Sequence, residues 1–173
     1  MREDLIHLLR ECRNGRRAIL MVTHQLDEAL ALGDRLVILL DGRVAREGSI
    51  REVIRDPQNR DAARLVGYRN FFPVRVEKDT LLSPFGNWPV ESVREEAYGE
   101  GASKLAAAFP EDLRAVPDEQ GQAVIQDCRI ESRAFRIQAR QGLDRFEAMA
   151  DTYLNPGQRA TLCCIHPPAL LED

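Results

Sequence analysis

One histidine in this chain stands where an imidazole could work on a phosphate. His24 follows Thr23 and the unbroken apolar run Ala18–Val22, and it precedes Gln25–Leu32, which carries Asp27 and Glu28 near its start. An imidazole fixed at the tip of a buried strand can donate a hydrogen bond to a phosphate oxygen or hold a water beside one. In the same place a histidine can also cap a helix and bond only to backbone, so position alone leaves both readings open. The other reactive residues are less well arranged. Cys12, Cys128, Cys163 and Cys164 form no CxxC pair, and only three histidines are present. Reduced, buried thiols are therefore expected rather than a metal site. Arg129, Arg133, Arg136 and Arg140 have the charge to hold an anion, but their spacing reads as the solvated face of a strand. His7 falls on a predicted helix, and His166 precedes Pro167-Pro168 with no partner set in view.

The elements that must position His24 are legible around it. Ala18–Val22 reads as a strand buried on both faces. Gln25–Leu32 reads as a short helix with acids in its first turn, where the helix dipole favours them, and Gly33 suits its end. Leu36–Leu40 is a second apolar strand, Asp41-Gly42 a hairpin turn, and Val44–Glu47 the return strand. Upstream, Asp4–Arg13 has helical spacing and stops at Asn14-Gly15. Downstream, Ile50–Ile54 reads as a helix stopped by Asp56-Pro57, and Arg60–Val66 as one or two helical turns ended by Gly67. Alternating strands and helices point to an α/β segment. With one core strand and one hairpin it is an incomplete sheet, and a fragment that small is expected to lean on other polypeptide.

From Tyr68 the texture changes to alternation. Phe72, Val74 and Val76 are spaced by two, as are Phe135, Ile137 and Ala139. Val124–Arg129, Arg145–Ala150 and Ala160–Ile165 read as further strands, while Lys104–Phe109 suits a strand or a short helix. Ser83–Asn87, Gln141–Leu143 and Asn155–Gly157 carry turn chemistry, and Glu91–Gly101 reads as an exposed acidic connection. Trp88 is left open between core and interface. Short strands at regular intervals suggest a small β-barrel.

The first segment resembles the tail of the ATP-binding subunit of ABC transporters over roughly residues 2–76. The residues that carry the resemblance are Val22-Thr23-His24 followed by Asp27-Glu28-Ala29, then Asp34-Arg35, Asp41-Gly42-Arg43 and Gly48, then Ser49–Pro57. Gln25 stands where many members carry Asp. The second half resembles the TOBE domain, an OB-like barrel. Asn70–Val76 is similar to its first strand, Ala108–Leu113 to its IRPED-type turn with Phe109 where Arg is usual, and Asn155-Pro156-Gly157 to its closing strand. The fold class implied is an α/β fragment of an ABC ATPase domain, residues 1–66, followed by a small mostly-β TOBE-like barrel, residues 67–173.

The resemblance implies that His24 is the ATP-sensing switch histidine, with ATP and magnesium as cofactors of the complete subunit. It implies a transmembrane permease subunit, a second ATPase subunit in a homodimer and a small anion such as molybdate, tungstate or sulfate as partners. The place implied is the cytoplasmic face of the cell membrane. The barrel would mediate dimerisation or sense solute. The chain carries no P-loop, since its only lysines, Lys78 and Lys104, do not follow glycine, and no LSGGQ-like signature. Val37–Asp41 has the texture of a Walker B strand, but Gly42 occupies the glutamate position and the order relative to His24 is reversed, so Asp41-Gly42 reads as a turn. The chain alone is thus expected to be inactive, as the C-terminal portion of a longer subunit. The alternative is a non-enzymatic dimerising or small-anion-binding module. Composition excludes other classes. The net charge of -4 is split into +1 over residues 1–66 and -5 over 67–173. Neither half has the basic stripe of a nucleic-acid binder. No apolar run approaches the ~20 residues of a membrane span.

Overall fold

The structure, a computed structural model, describes residues 9, 18–90, 101 and 103–172. The helix expected over Asp4–Arg13 with His7 and Cys12, its Asn14-Gly15 stop, and the Glu91–Gly101 connection lie outside the described residues, apart from Leu9 and Gly101. The chain divides into two compact units, Met1–Pro57 and Gln58–Asp173. The boundary anticipated after Val66 lies beyond that division, so the helix at Arg60 groups with the second unit.

In the first unit, Ala18–Val22 is not a strand. It is irregular chain outside any sheet, with Leu20 94% and Val22 89% exposed. The strand expected there does not form: a strand buried on both faces needs neighbours on both sides, and among the described residues none pairs with this run. Helix α1 (Leu26–Leu32) follows, with Asp27 and Glu28 in its first turn. Gly33 ends it, as expected, in an extended conformation. Strands β1 (Arg35–Leu40) and β2 (Arg43–Ser49) form an antiparallel hairpin with a bulge at Ile38/Leu39. Its tip places both Asp41 (φ 50°) and Gly42 (φ 75°) in left-handed backbone, which the favoured two-residue turn requires and which Asp and Gly tolerate. Only one side of the hairpin is covered: Ile38 is buried while Val37 and Leu39 are exposed. Helix α2 (Ile50–Arg55) begins with a capping box in which Ser49 Oγ accepts from the Glu52 N–H and the Glu52 carboxylate accepts from the Ser49 N–H. Its end is tied back by Arg46 Nε, which donates to the Asp56 carbonyl at 2.8 Å.

The second unit opens with helix α3 (Arg60–Leu65), capped by the Asn59 side chain. Strands β3 (Asn70–Glu77), β4 (Thr80–Ser83), β5 (Gly86–Pro89), β6 (Ser103–Ala108) and β12 (Ala169–Leu171) make one sheet in the order β12-β6-β3-β4-β5. Strands β7 (Leu113–Pro117), β8 (Ala123–Glu131), β9 (Ala134–Gln141), β10 (Asp144–Ala150) and β11 (Arg159–Cys164) close a five-stranded barrel in the order β10-β7-β11-β8-β9. The barrel is therefore only half of this unit, and the first alternating strand, β3, belongs to the sheet beside it. Lys104–Ala108 resolves as strand, its small alanines Ala106, Ala107 and Ala108 fully buried. Sheet and barrel share one core, in which Phe72, Val74, Val76 and Leu81 meet Ile125, Ile137, Phe146 and Leu162. Phe85 joins the halves edge-on, 4.9 Å from Phe72 and 4.8 Å from Phe146 between ring centroids.

Asn70 is the one buried polar residue among those described, and it fastens sheet to barrel. Its Oδ1 accepts from the Glu147 N–H at 2.7 Å, and its Nδ2 donates to the Glu147 carbonyl at 2.8 Å and the Phe109 carbonyl at 3.4 Å. The side-chain amide thus pairs with a β10 peptide as a neighbouring strand would. At the opposite end, the Asp118–Gly121 turn presses on β11. The Gly121 N–H donates to the Asp118 carbonyl, Thr161 Oγ1 donates to the Asp118 carboxylate, and a Cβ on Gly121 would lie 2.3 Å from the Ala160 carbonyl carbon.

Candidate functional site

His24 is exposed, in the bend between the Ala18–Val22 run and α1. Thr23 shapes that bend. Its Oγ1 accepts from the Gln25 N–H at 3.1 Å and donates to Glu28 Oε2 at 2.6 Å, so one hydroxyl ties the loop to the first turn of the helix. The backbone on both sides of His24 is thereby held, while among the described residues its imidazole bonds to no other group. This is the reverse of a capping histidine, whose ring would be spent on backbone. Sequence reading singled out His24 and missed Thr23; the signal was a Thr five residues before a first-turn Glu.

The remaining candidates have places of their own. Asp41 and Gly42 form the hairpin tip, as the turn reading of that pair required. His166 does have a partner: its Nδ1 lies 2.8 Å from Asp112 Oδ1. Cys128, Cys163 and Cys164 are free thiols, but only Cys164 is buried; alternation along β11 turns Cys163 outward. Burial pushes the Cys164 thiol up to about 11, beyond the range of a nucleophile. Arg136 is engaged by Glu131, Glu111 and Glu147, and its hydrogen bond to Glu131 raises its already high pKa. Arg129 pairs with Asp127. Those arginines are structural surface charges. Phe109, at the position where the resemblance has Arg, stacks on Tyr68 with ring centroids 3.9 Å apart. Trp88 packs against the core. Among the described residues no group of three His, Cys, Asp or Glu could hold a metal ion, and no helix is long and apolar enough to cross a membrane.

The chain is 34% identical over 138 residues to the Fe(3+) ions import ATP-binding protein FbpC of Streptomyces coelicolor, an overlap of 79% of this chain and 37% of that protein. It is homologous to the ATP-binding subunits of ABC importers. The spermidine/putrescine import ATP-binding protein PotA of Marinobacter nauticus is 40% identical over 105 residues, 57% of this chain and 28% of the relative. The molybdate/tungstate import ATP-binding protein WtpC of Pyrococcus horikoshii is 39% identical over 67 residues, 36% and 19%. No family model matches. The chain thus spans about a third of the length of the first curated relatives. Their named substrates run from iron to polyamines to molybdate and tungstate, so the oxyanion class anticipated from the sequence is not singled out. The closed barrel after an α/β segment agrees with the TOBE-like resemblance.

Proposed function

We propose that this chain works as part of the ATP-binding subunit of an ABC importer, in which His24 senses the γ-phosphate of ATP. The observation that supports this most directly is the setting of His24, an exposed and unspent imidazole on a loop tied down by Thr23. Bound ATP with magnesium would supply the transferable phosphoryl group. The part of this chain is a ring N–H that can donate to a phosphate oxygen or orient a water beside it. Its residues offer no P-loop, so grip on the nucleotide comes from other polypeptide. In this reading the first segment, 1–66, completes an ATPase core, and 67–173 serves dimerisation or solute sensing. The partners are a permease subunit and a second ATPase subunit at the cytoplasmic face of the membrane. Iron, polyamine and oxyanion transport all remain within the proposal, with molybdate, tungstate and sulfate as the oxyanions to try first.

The test is a chimera in which this chain replaces the homologous segment of the Streptomyces coelicolor relative. The chimera should hydrolyse ATP, and H24A should lower its turnover about 100-fold, the scale of losing one positioned donor. Full turnover by H24A in an active chimera would remove the switch role. A second reading, a non-enzymatic module, is supported by the second unit having a core of its own. Under it the chimera would be inactive while Gln58–Asp173 still folded.

A further inference from the structure

The second unit concentrates positive charge at one place that its fold does not call for. Arg60, Arg64, Arg69 and Arg145 border one open hollow of about 430 Å³, together with Phe71 and Asp144. Arg60 and Arg64 are neighbours on one face of α3, and their Cζ atoms lie 5.0 and 5.4 Å from the centroid of the same Phe71 ring. Arg69 is held from below, its Nη1 donating to the Arg64 carbonyl at 2.8 Å and the Tyr68 carbonyl at 3.0 Å. Arg145 comes from β10, and its cross-strand partner on β9 is another arginine, Arg140, a like-charge pairing that costs stability. Acid nearby is outnumbered: Asp144 is the one carboxylate lining the hollow, against four arginines. Asp61 reaches Arg64 at 3.4 Å with both side chains more than half exposed, a weak pair. Among the described residues neither Arg60 nor Arg145 has a carboxylate partner. An ordinary solvated face mixes signs, as Arg136 with its three glutamates does in the same unit.

We propose that Arg60, Arg64, Arg69 and Arg145 form a binding site over Phe71 for a phosphoryl-type dianion, free or carried on a small molecule. Guanidinium forks match the oxygen geometry of such a group and can bond it in pairs. Stacking two of them on one ring holds them ready, which reduces the rotamer freedom lost on binding. The hollow is concave and has a single fully exposed apolar neighbour, Leu143. That suits a compact ligand better than a lipid surface or a protein helix. The site gives the proposed sensing role a ligand class, and it rests on that reading for its role but not for its binding.

The experiment follows the arginine Nε–Hε resonances of the full chain during titration with sodium phosphate, and separately with glycerol 3-phosphate, at ionic strength fixed with sodium chloride. Saturable shifts are expected, and R60Q and R145Q should each weaken binding roughly tenfold, the scale of one charged hydrogen bond, with the circular dichroism unchanged. Saturation by both probes assigns the site to a phosphoryl group in general; saturation by phosphate alone assigns it to the free anion. No saturable shift with either probe, or binding unaltered in both variants, overturns the proposal. Neither result touches the chimera's ATP turnover, so the two readings fail separately.

Discussion

Replacing Asn70 by alanine should loosen the joint between sheet and barrel more than any surface change in this chain. Asn70 is fully buried, and its amide satisfies both polar groups of the Glu147 peptide, at 2.7 and 2.8 Å. Alanine leaves that N–H and that C=O without their partner, and each such orphan costs about 1–3 kcal/mol. The expected loss is therefore about 2–5 kcal/mol, or roughly 5–15 °C in unfolding midpoint for a chain of this size. Urea unfolding followed by Trp88 reads the right unit, because this sole tryptophan packs against the shared core. Asn70→Asp sharpens the test. A carboxylate there can still accept from Glu147 N–H but faces the Glu147 and Phe109 carbonyls, so burial and those dipoles raise its pKa. The folded state then binds the extra proton, and stability rises as pH falls. The aspartate variant should be more stable at pH 5 than at pH 8 relative to the parent chain. A loss under about 1 kcal/mol for the alanine variant, with no such pH trend for the aspartate one, would show that the joint does not depend on this amide.

Three further outcomes follow from the structure. Gly121→Ala should unfold the second unit's barrel or cost at least about 3 kcal/mol, because the added carbon would meet β11 backbone that cannot swing aside; circular dichroism melting checks it. Brief alkylation with iodoacetamide followed by mass spectrometry should label Cys163 well before Cys164, whose buried thiol stays protonated. The hydrogen bonds from Ser49 hold the Glu52 carboxyl below its ordinary value of 4.5. A depressed folded-state pKa contributes stability above that value and loses it as pH falls below it, so an acid titration should show the α2 amides exchanging faster, and S49A, which removes the side-chain bond but keeps the larger one from the Ser49 backbone N–H, should weaken that pH dependence without abolishing it.

Local chemistry made much of this fold readable before any coordinates. The alternation of Phe72, Val74 and Val76 is a strand buried on one side, and Asp41-Gly42 is a turn because those two residue types accept left-handed backbone. What the sequence hid was set by distant partners. Strand β7, Leu113–Pro117, is short, ends in proline and exists because it lies between β10 and β11. Strands β4 and β5 hid behind the turn chemistry of Ser83–Asn87, and β12 behind Pro167-Pro168. The Asn70 joint spans 77 residues of sequence, which no window of periodicity can see. Ala18–Val22 went the other way: its composition announces a buried strand, and its surroundings here do not make one. At the site, His24 was legible from its place after an apolar run, whereas the Thr23 clamp and the four-arginine hollow required the three-dimensional arrangement.

That bare run at Ala18–Val22 also bears on handling. Isoleucine, leucine, methionine and valine in succession, outside any sheet and with no proline or charge among them, have the composition of a segment onto which an identical one can add. Concentrated or warmed solutions of this polypeptide are thus prone to cross-β clumping seeded at its amino-terminal third, and a companion that laid a strand along that segment would act as its solubiliser.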